Sequence, residues 1–111
     1  MQYTLYFDNI KIGTVTQLDA DFPNLSGTYE LAASLVGKNQ LFDNYIAYSV
    51  QSDTLMSRDM AAWEKFMEQE EHKYQELIDS ENWKLIDEDG QPRSILIPIF
   101  GEDHRFVWRW S

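Results

Sequence analysis

The residue whose chemistry stands out first is Glu70. Met60, Trp63, Met67, Tyr74, Leu77 and Ile78 recur at three- and four-residue steps, and Glu70 falls in the same stripe, between Met67 and Tyr74. A carboxylate among apolar neighbours must be paired, hydrogen-bonded or at the stripe's edge. Burial would tune it as a general acid or base. An ion pair with Arg105 or Arg109, or an edge position reaching water, is the structural alternative. It is the one expected, because no second catalytic group can be placed beside Glu70.

The other titratable groups give weaker signals. Glu68 and His72 stand four apart and could share a metal ion, but two ligands fall short of the closed shell of a structural site. An exposed histidine beside a glutamate is the plainer expectation. His104 closes a turn-forming run, Gly101-Glu102-Asp103-His104, where water is its natural partner. Asp19-Ala20-Asp21 has the spacing of an Asp-x-Asp metal site. Phe22-Pro23 interrupts it, and the bidentate glutamate and turn glycine of a calcium loop are missing. With Asn24, these aspartates are ordinary turn formers. No metal or cofactor is expected.

Nucleophilic chemistry has little support. The chain has no cysteine, which excludes disulfides, thiolate metal sites and thiol nucleophiles. None of its serines sits in a Gly-x-Ser-x-Gly elbow. Its five glycines are dispersed and form no phosphate-binding loop. No catalytic residue is assigned.

What remains is charge and rings. The formal net charge is −10, and eleven acids against four bases put −7 of it between residues 56 and 90. Nucleic acid and anionic membranes demand positive charge, so neither is an expected partner. A basic protein would be attracted and steered. Glu64, Glu68 and Glu71 form a ridge on the outer side of the helical stretch, and Asp87-Glu88-Asp89 crowds three acids into one turn. Like charges at i and i+4 cost a helix stability, so the ridge is either a solvated face or a docking surface. These six residues are the candidate partner-binding set. On the last strand, Phe106, Trp108 and Trp110 share one face, while Arg105, Val107 and Arg109 share the other. Stacked rings can form a ligand platform. A core row is the simpler expectation, with Trp110 the ring most exposed.

Behind these residues stands a domain of modest size. A chain of 111 residues, 43% hydrophobic and 14% aromatic, can bury a core without disulfides or metal and fits one domain, residues 1–111. No apolar run reaches membrane-spanning length, and Met1 to Asp8 lacks the basic-then-apolar order of a secretory signal. Cytoplasmic residence is the expectation.

The pattern predicts an α+β fold. Tyr3–Phe7 and Ile10–Leu18 read as a hairpin turning at Asp8-Asn9, with Gly13 marking a bulge. Residues 19–27 read as a loop that Phe22 and Leu25 could anchor, and residues 28–52 fit helix or strand. One long amphipathic helix is expected over about 57–80, capped by Ser57 and packed on the sheet through Trp63, Met67, Tyr74 and Leu77. At 1.5 Å per residue it would run about 36 Å, so it must cross the domain, bend or overhang. A three-strand meander follows: Trp83–Asp87, Ser94–Phe100 and Arg105–Trp110, the first turn marked by Asp89-Gly90. Pro98 cannot donate to a ladder and should mark an edge or bulge.

The functional expectation is a small acidic protein-binding module, in its concrete form an immunity-type or inhibitor protein covering a basic partner, and not an enzyme. A homo-oligomeric assembly subunit is the first alternative. A small enzyme or ligand-binding domain using Glu70 and the C-terminal Arg/Trp strand is the second.

Overall fold

The computed structural model describes residues 1–21 and 23–111. The anchoring role expected of Phe22 lies outside them. The fold is α+β: six antiparallel strands close into a barrel, with a helical segment inserted between its two halves. The strands are β1 (Gln2–Phe7), β2 (Ile10–Asp21), β3 (Asn24–Leu31), β4 (Trp83–Ile86), β5 (Pro92–Phe100) and β6 (Arg105–Trp110). Their order around the barrel is β1-β2-β3-β6-β5-β4, and β4 pairs back onto β1.

The C-terminal meander and the β1–β2 hairpin form where the sequence pattern puts them. The N-terminal half needs a correction. It is a three-strand meander, because β2 runs on to Asp21 and the chain returns at once as β3. The polar run 19–27 is therefore mostly ladder. Leu25 and Tyr29 alternate inward from β3, and that burial outweighs the turn-like composition.

Closure requires the strands to bend, and three bulges supply it. Leu5 faces Gly13 while Tyr6 faces Lys11, leaving Ile12 as the extra residue beside the expected glycine. Gln17 faces Gly27 while Asp19 faces Ser26, leaving Leu18 extra. Leu96 faces Arg109 while Ile99 faces Val107, so Ile97-Pro98 carry the third bulge, as the missing donor of Pro98 demands. The barrel lumen is core. Eight strands leave room just for side chains, and these six are filled by Trp83, Trp108, Phe100, Phe106, Leu5, Ile12, Leu85, Ile95 and Val15, all essentially inaccessible. The row Phe106/Trp108 is thus interior, and Trp110 is its half-buried end with Arg93 over its ring at 4.1 Å.

The single helix over 57–80 is not observed. Helix α1 spans Gln40–Arg58 and helix α2 spans Met60–Glu70. A 3₁₀ turn (Glu71–Tyr74) and a short helix α3 (Gln75–Ile78) follow. Asp59 makes the break. Its backbone is extended (φ −150°, ψ 94°); its N–H closes the last turn of α1 on the Leu55 carbonyl at 2.8 Å, and its carboxylate accepts the Ala62 N–H at 3.1 Å to start α2. Ser57, the expected cap, is internal to α1 and donates to the Asp53 carbonyl at 3.1 Å. The ambiguous stretch 28–52 divides: Thr28–Leu31 completes β3, and Leu41–Tyr48 belongs to α1, whose start is capped by Asn39.

The helices also pack otherwise than expected. Helix α1, not the downstream helix, lies on the barrel. It closes the mouth formed by Phe7, Trp83 and Phe100: Phe42 meets Phe7 edge-on at 5.3 Å, and Tyr45 lies 5.8 Å from Trp83 and 6.2 Å from Phe100. Helix α2 and the 3₁₀ turn then cover α1, with Tyr48 against Phe66 at 5.7 Å and Tyr74 at 4.7 Å. Leu77 is buried, and its carbonyl accepts the Trp83 indole N–H at 2.8 Å. Among the described residues, no helix is long and apolar enough to cross a membrane.

Candidate functional site

The C-terminal half of α1 is a wall between two depressions. On one side an apolar cleft of about 260 Å³ opens between α1, α2 and the β5 bulge. Tyr45, Tyr48, Ser52 and Met56 come from α1, Trp63 and Met67 from α2, Glu71 from the 3₁₀ turn, and Ile97, Pro98 and Ile99 from β5. On the other side a larger groove of mixed character, about 680 Å³, is lined by Leu18, Asp19, Ser57, Arg58, Glu102 and Arg105, among others. Asp53 lines both.

Among the described residues, Asp53 is the one buried charge. It occupies the inward face of α1 one turn after Ser49, and both are buried. Ser49 Oγ accepts the Phe100 N–H at 2.9 Å, fixing α1 to the end of β5. The Asp53 carboxylate accepts from Arg105 Nη2 at 2.6 Å. Its side chain is 9% exposed and that of Arg105 54%, so a buried carboxylate is met by a guanidinium that still reaches water. Gly101 packs against them: a Cβ there would come within 2.6 Å of Asp53 Oδ2, so a larger residue would have to displace the carboxylate. Arg58 pairs with Glu102 at 3.4 Å across the outer lip of the same groove.

The cleft is apolar but holds hydroxyls with poor partners. Tyr48 Oη and Ser52 Oγ both lie against Met67 Sδ, at 3.6 and 3.4 Å, and a thioether is a weak acceptor. Ser52 also accepts the Trp63 indole N–H at 3.1 Å. Tyr45 Oη reaches the Pro98 carbonyl only at 3.5 Å. Burial, then the nearby Glu71 carboxylate and the Tyr74 phenol, push Tyr48 up to about 12. Burial, then Tyr48, raises Tyr45 further still. Both phenols are neutral donors at physiological pH. At the mouth, Met56 and Ile97 are 46% and 48% exposed. Ile97 has φ 52°, a left-handed conformation that a β-branched residue adopts only under strain.

The residues singled out from sequence are distributed unevenly over this frame. Glu64 and Glu68 are exposed on α2, as a ridge requires. Glu71 leaves that ridge: one turn after Met67, to whose carbonyl its N–H is bonded, it lies half-buried in the cleft lining. Asp87, Glu88 and Asp89 sit at the other end of the barrel, beyond β4 and before β5, and are not brought together with the ridge. Asp87 is a turn former, accepting the N–H groups of Asp89 and Gln91 at 2.9 Å each. Glu88 accepts the Gln2 N–H at 3.3 Å, and Asp89 is exposed.

Glu70 is paired, but with neither arginine proposed for it. It bonds Lys73 one turn on, which raises the Lys73 ammonium. Arg105 is taken by Asp53, and Arg109 donates to Asn24 Oδ1 at 2.8 Å. Glu70 and the C-terminal arginines are therefore not one constellation. His72 is exposed and lies beside Leu41 and Lys73 in a separate depression. His104 is exposed, with Nδ1 at 3.1 Å from the Tyr29 carbonyl. Asp19 caps its neighbour's Ala20 N–H at 2.8 Å. Among the described residues, no group of three histidine or carboxylate side chains is placed to hold a metal ion.

Ile97 lies on β5, where only Pro98 marks the bulge, and Asp53, Ser52 and Met56 are not singled out because the sequence pattern does not resolve α1. The Asn39 cap, followed by Phe42, Tyr45, Ile46, Ser49 and Asp53 at helical steps, is the signal that would have found it. No protein-family model matches the chain, and no curated protein or solved structure matches it either.

Proposed function

We propose that this protein is a small acidic binding module that captures a basic protein through the helical face at the barrel mouth, in the manner of an immunity or inhibitor protein. The observation that carries this reading is the meeting of an open apolar cleft with carboxylates that have no internal counter-charge. Among the described residues three ion pairs form, using Asp53, Glu70 and Glu102. Glu71, in the cleft lining, is in none of them, and neither are Glu64 and Glu68 on the exposed side of α2. An apolar patch rimmed by polar groups is the anatomy of a protein–protein contact, and the rim's sign selects a basic partner.

The same charge argues against the assembly alternative on this face. Two copies carrying −10 each would bring like-charged rims together. The enzyme alternative loses the grouping it relied on, since Glu70, Arg105 and Arg109 each have a different partner.

The test begins with affinity capture at low and high salt and mass-spectrometric identification, followed by reconstitution from purified components. The expected result is a 1:1 complex with a basic protein, weakened by salt and by E64K/E68K/E71K. A complex indifferent to both, or one with an acidic protein, would reject the reading.

A further inference from the structure

Resting on that reading, we infer that the cleft between α1, α2 and the β5 bulge takes a single apolar side chain of the basic partner, from a segment where lysine or arginine flanks it. Size is the first argument. Pockets for whole small-molecule ligands run about 300–1,000 Å³, whereas this cleft holds about 260 Å³. That is room for a leucine-sized or aromatic side chain, not for a nucleotide or comparable cofactor.

Lining chemistry is the second. Met56, Trp63, Met67 and Ile97 offer apolar surface, two of it thioether, which adapts to an irregular guest. Tyr48 and Ser52 donate to the Met67 sulfur alone or nearly so. They can turn to a carbonyl of an incoming backbone without leaving a good internal bond behind. The third is charge. Glu71 lies in the cleft lining and Glu68 is exposed one turn before it, so a cation flanking the guest side chain finds a carboxylate as the anchor seats. The strained backbone at Ile97 fits this role, because the bulge places that side chain and Pro98 in the cleft wall.

The experiment uses the intact protein and three capped peptides, Ac-Arg-Leu-Arg-NH2, Ac-Arg-Ser-Arg-NH2 and Ac-Glu-Leu-Glu-NH2, followed by NMR of methionine methyls and indole N–H groups. The leucine peptide with arginines should shift Met56, Met67 and Trp63 together and saturably, leaving Met1 unmoved. The other two should bind at least about tenfold more weakly, the loss of an anchor or a reversal of charge each being worth about 1.4 kcal/mol or more. Shifts elsewhere, no saturation, or equal binding of the glutamate or serine peptide would overturn the inference.

A second arm uses the captured basic protein against M56N and I97N, charge-neutral substitutions at half-exposed positions that spare the core. A tenfold or greater loss of affinity supports the anchor. Unchanged affinity in M56N and I97N, with affinity still lost in E64K/E68K, would overturn it while leaving the capture of a basic partner intact. If no basic protein is captured but the peptides discriminate as expected, the anchor stands and the proposed function fails.

Discussion

Removing Arg105 should destabilise the protein more than removing Asp53, although both substitutions break the same bond. Two unit charges about 4 Å apart interact by about 4 kcal/mol at an effective permittivity near 20 and about 1 kcal/mol in water. The side chains here are 9% and 54% exposed, so the pair lies between those limits and nearer the second. A coupling of about 1–2 kcal/mol follows. The single substitutions differ in what they leave behind. Asp53→Ala frees a guanidinium that already reaches solvent and can hydrate, and should cost about 2 kcal/mol. Arg105→Ala strands a carboxylate packed between α1 and Gly101, and should cost about 3 kcal/mol. The assay is urea unfolding at neutral pH followed by tryptophan fluorescence, with both singles and the double variant closing a thermodynamic cycle. Equal costs, a larger cost for Asp53→Ala, or a coupling below about 0.5 kcal/mol would refute the claim that the buried end of this pair dominates.

Other predictions follow from the same surface. At Ile97, glycine should be more stable than alanine by about 1 kcal/mol, the reverse of the usual order, because the left-handed backbone costs any residue with a Cβ; chemical denaturation of I97G and I97A measures it, and the ordinary order would show that the strain is absent in solution. Tyr45 and Tyr48 stay protonated in the fold, Tyr48 to about pH 12, whereas unfolded tyrosines ionise near pH 10. The unfolded chain therefore loses protons first, and stability should be full below about pH 10 and fall between about pH 10 and 12. Y45F/Y48F should flatten that fall, as read by thermal melts across the range; an unchanged slope would assign it to other groups.

The individual strands are more legible in the sequence than the helices. Strands alternate with a period of two, and pairs such as Phe106/Trp108 and Trp83/Leu85 show their inward face directly. Turn chemistry marked Asp8-Asn9 and Asp87–Gly90, where the positive φ of Asp8 (55°) and Gly90 (82°) explains the composition. Closure was not legible, because the β1–β4 and β3–β6 pairings join strands distant in sequence and leave no local mark.

The helical break was missed for a different reason. Trp63, Met67, Tyr74 and Leu77 keep helical spacing across α2, the 3₁₀ turn and α3, so periodicity alone cannot see Asp59 or Glu70 as boundaries. Glu70 falls in a continuous stripe by spacing, yet it ends α2 half-buried and paired with Lys73, while Glu71 lies in the cleft lining. The acidic ridge was visible as composition; its separation from Asp87-Glu88-Asp89 depends on the barrel's length and was not.

The most direct test of the binding account is the association rate of the captured basic partner with wild-type protein and with E64K/E68K/E71K, measured by stopped flow at about 0.02 M and about 0.5 M salt. Wild-type association should slow at least about tenfold across that range and the variant should be slow throughout, with dissociation changing far less. Equal association rates for the two proteins at low salt would contradict it.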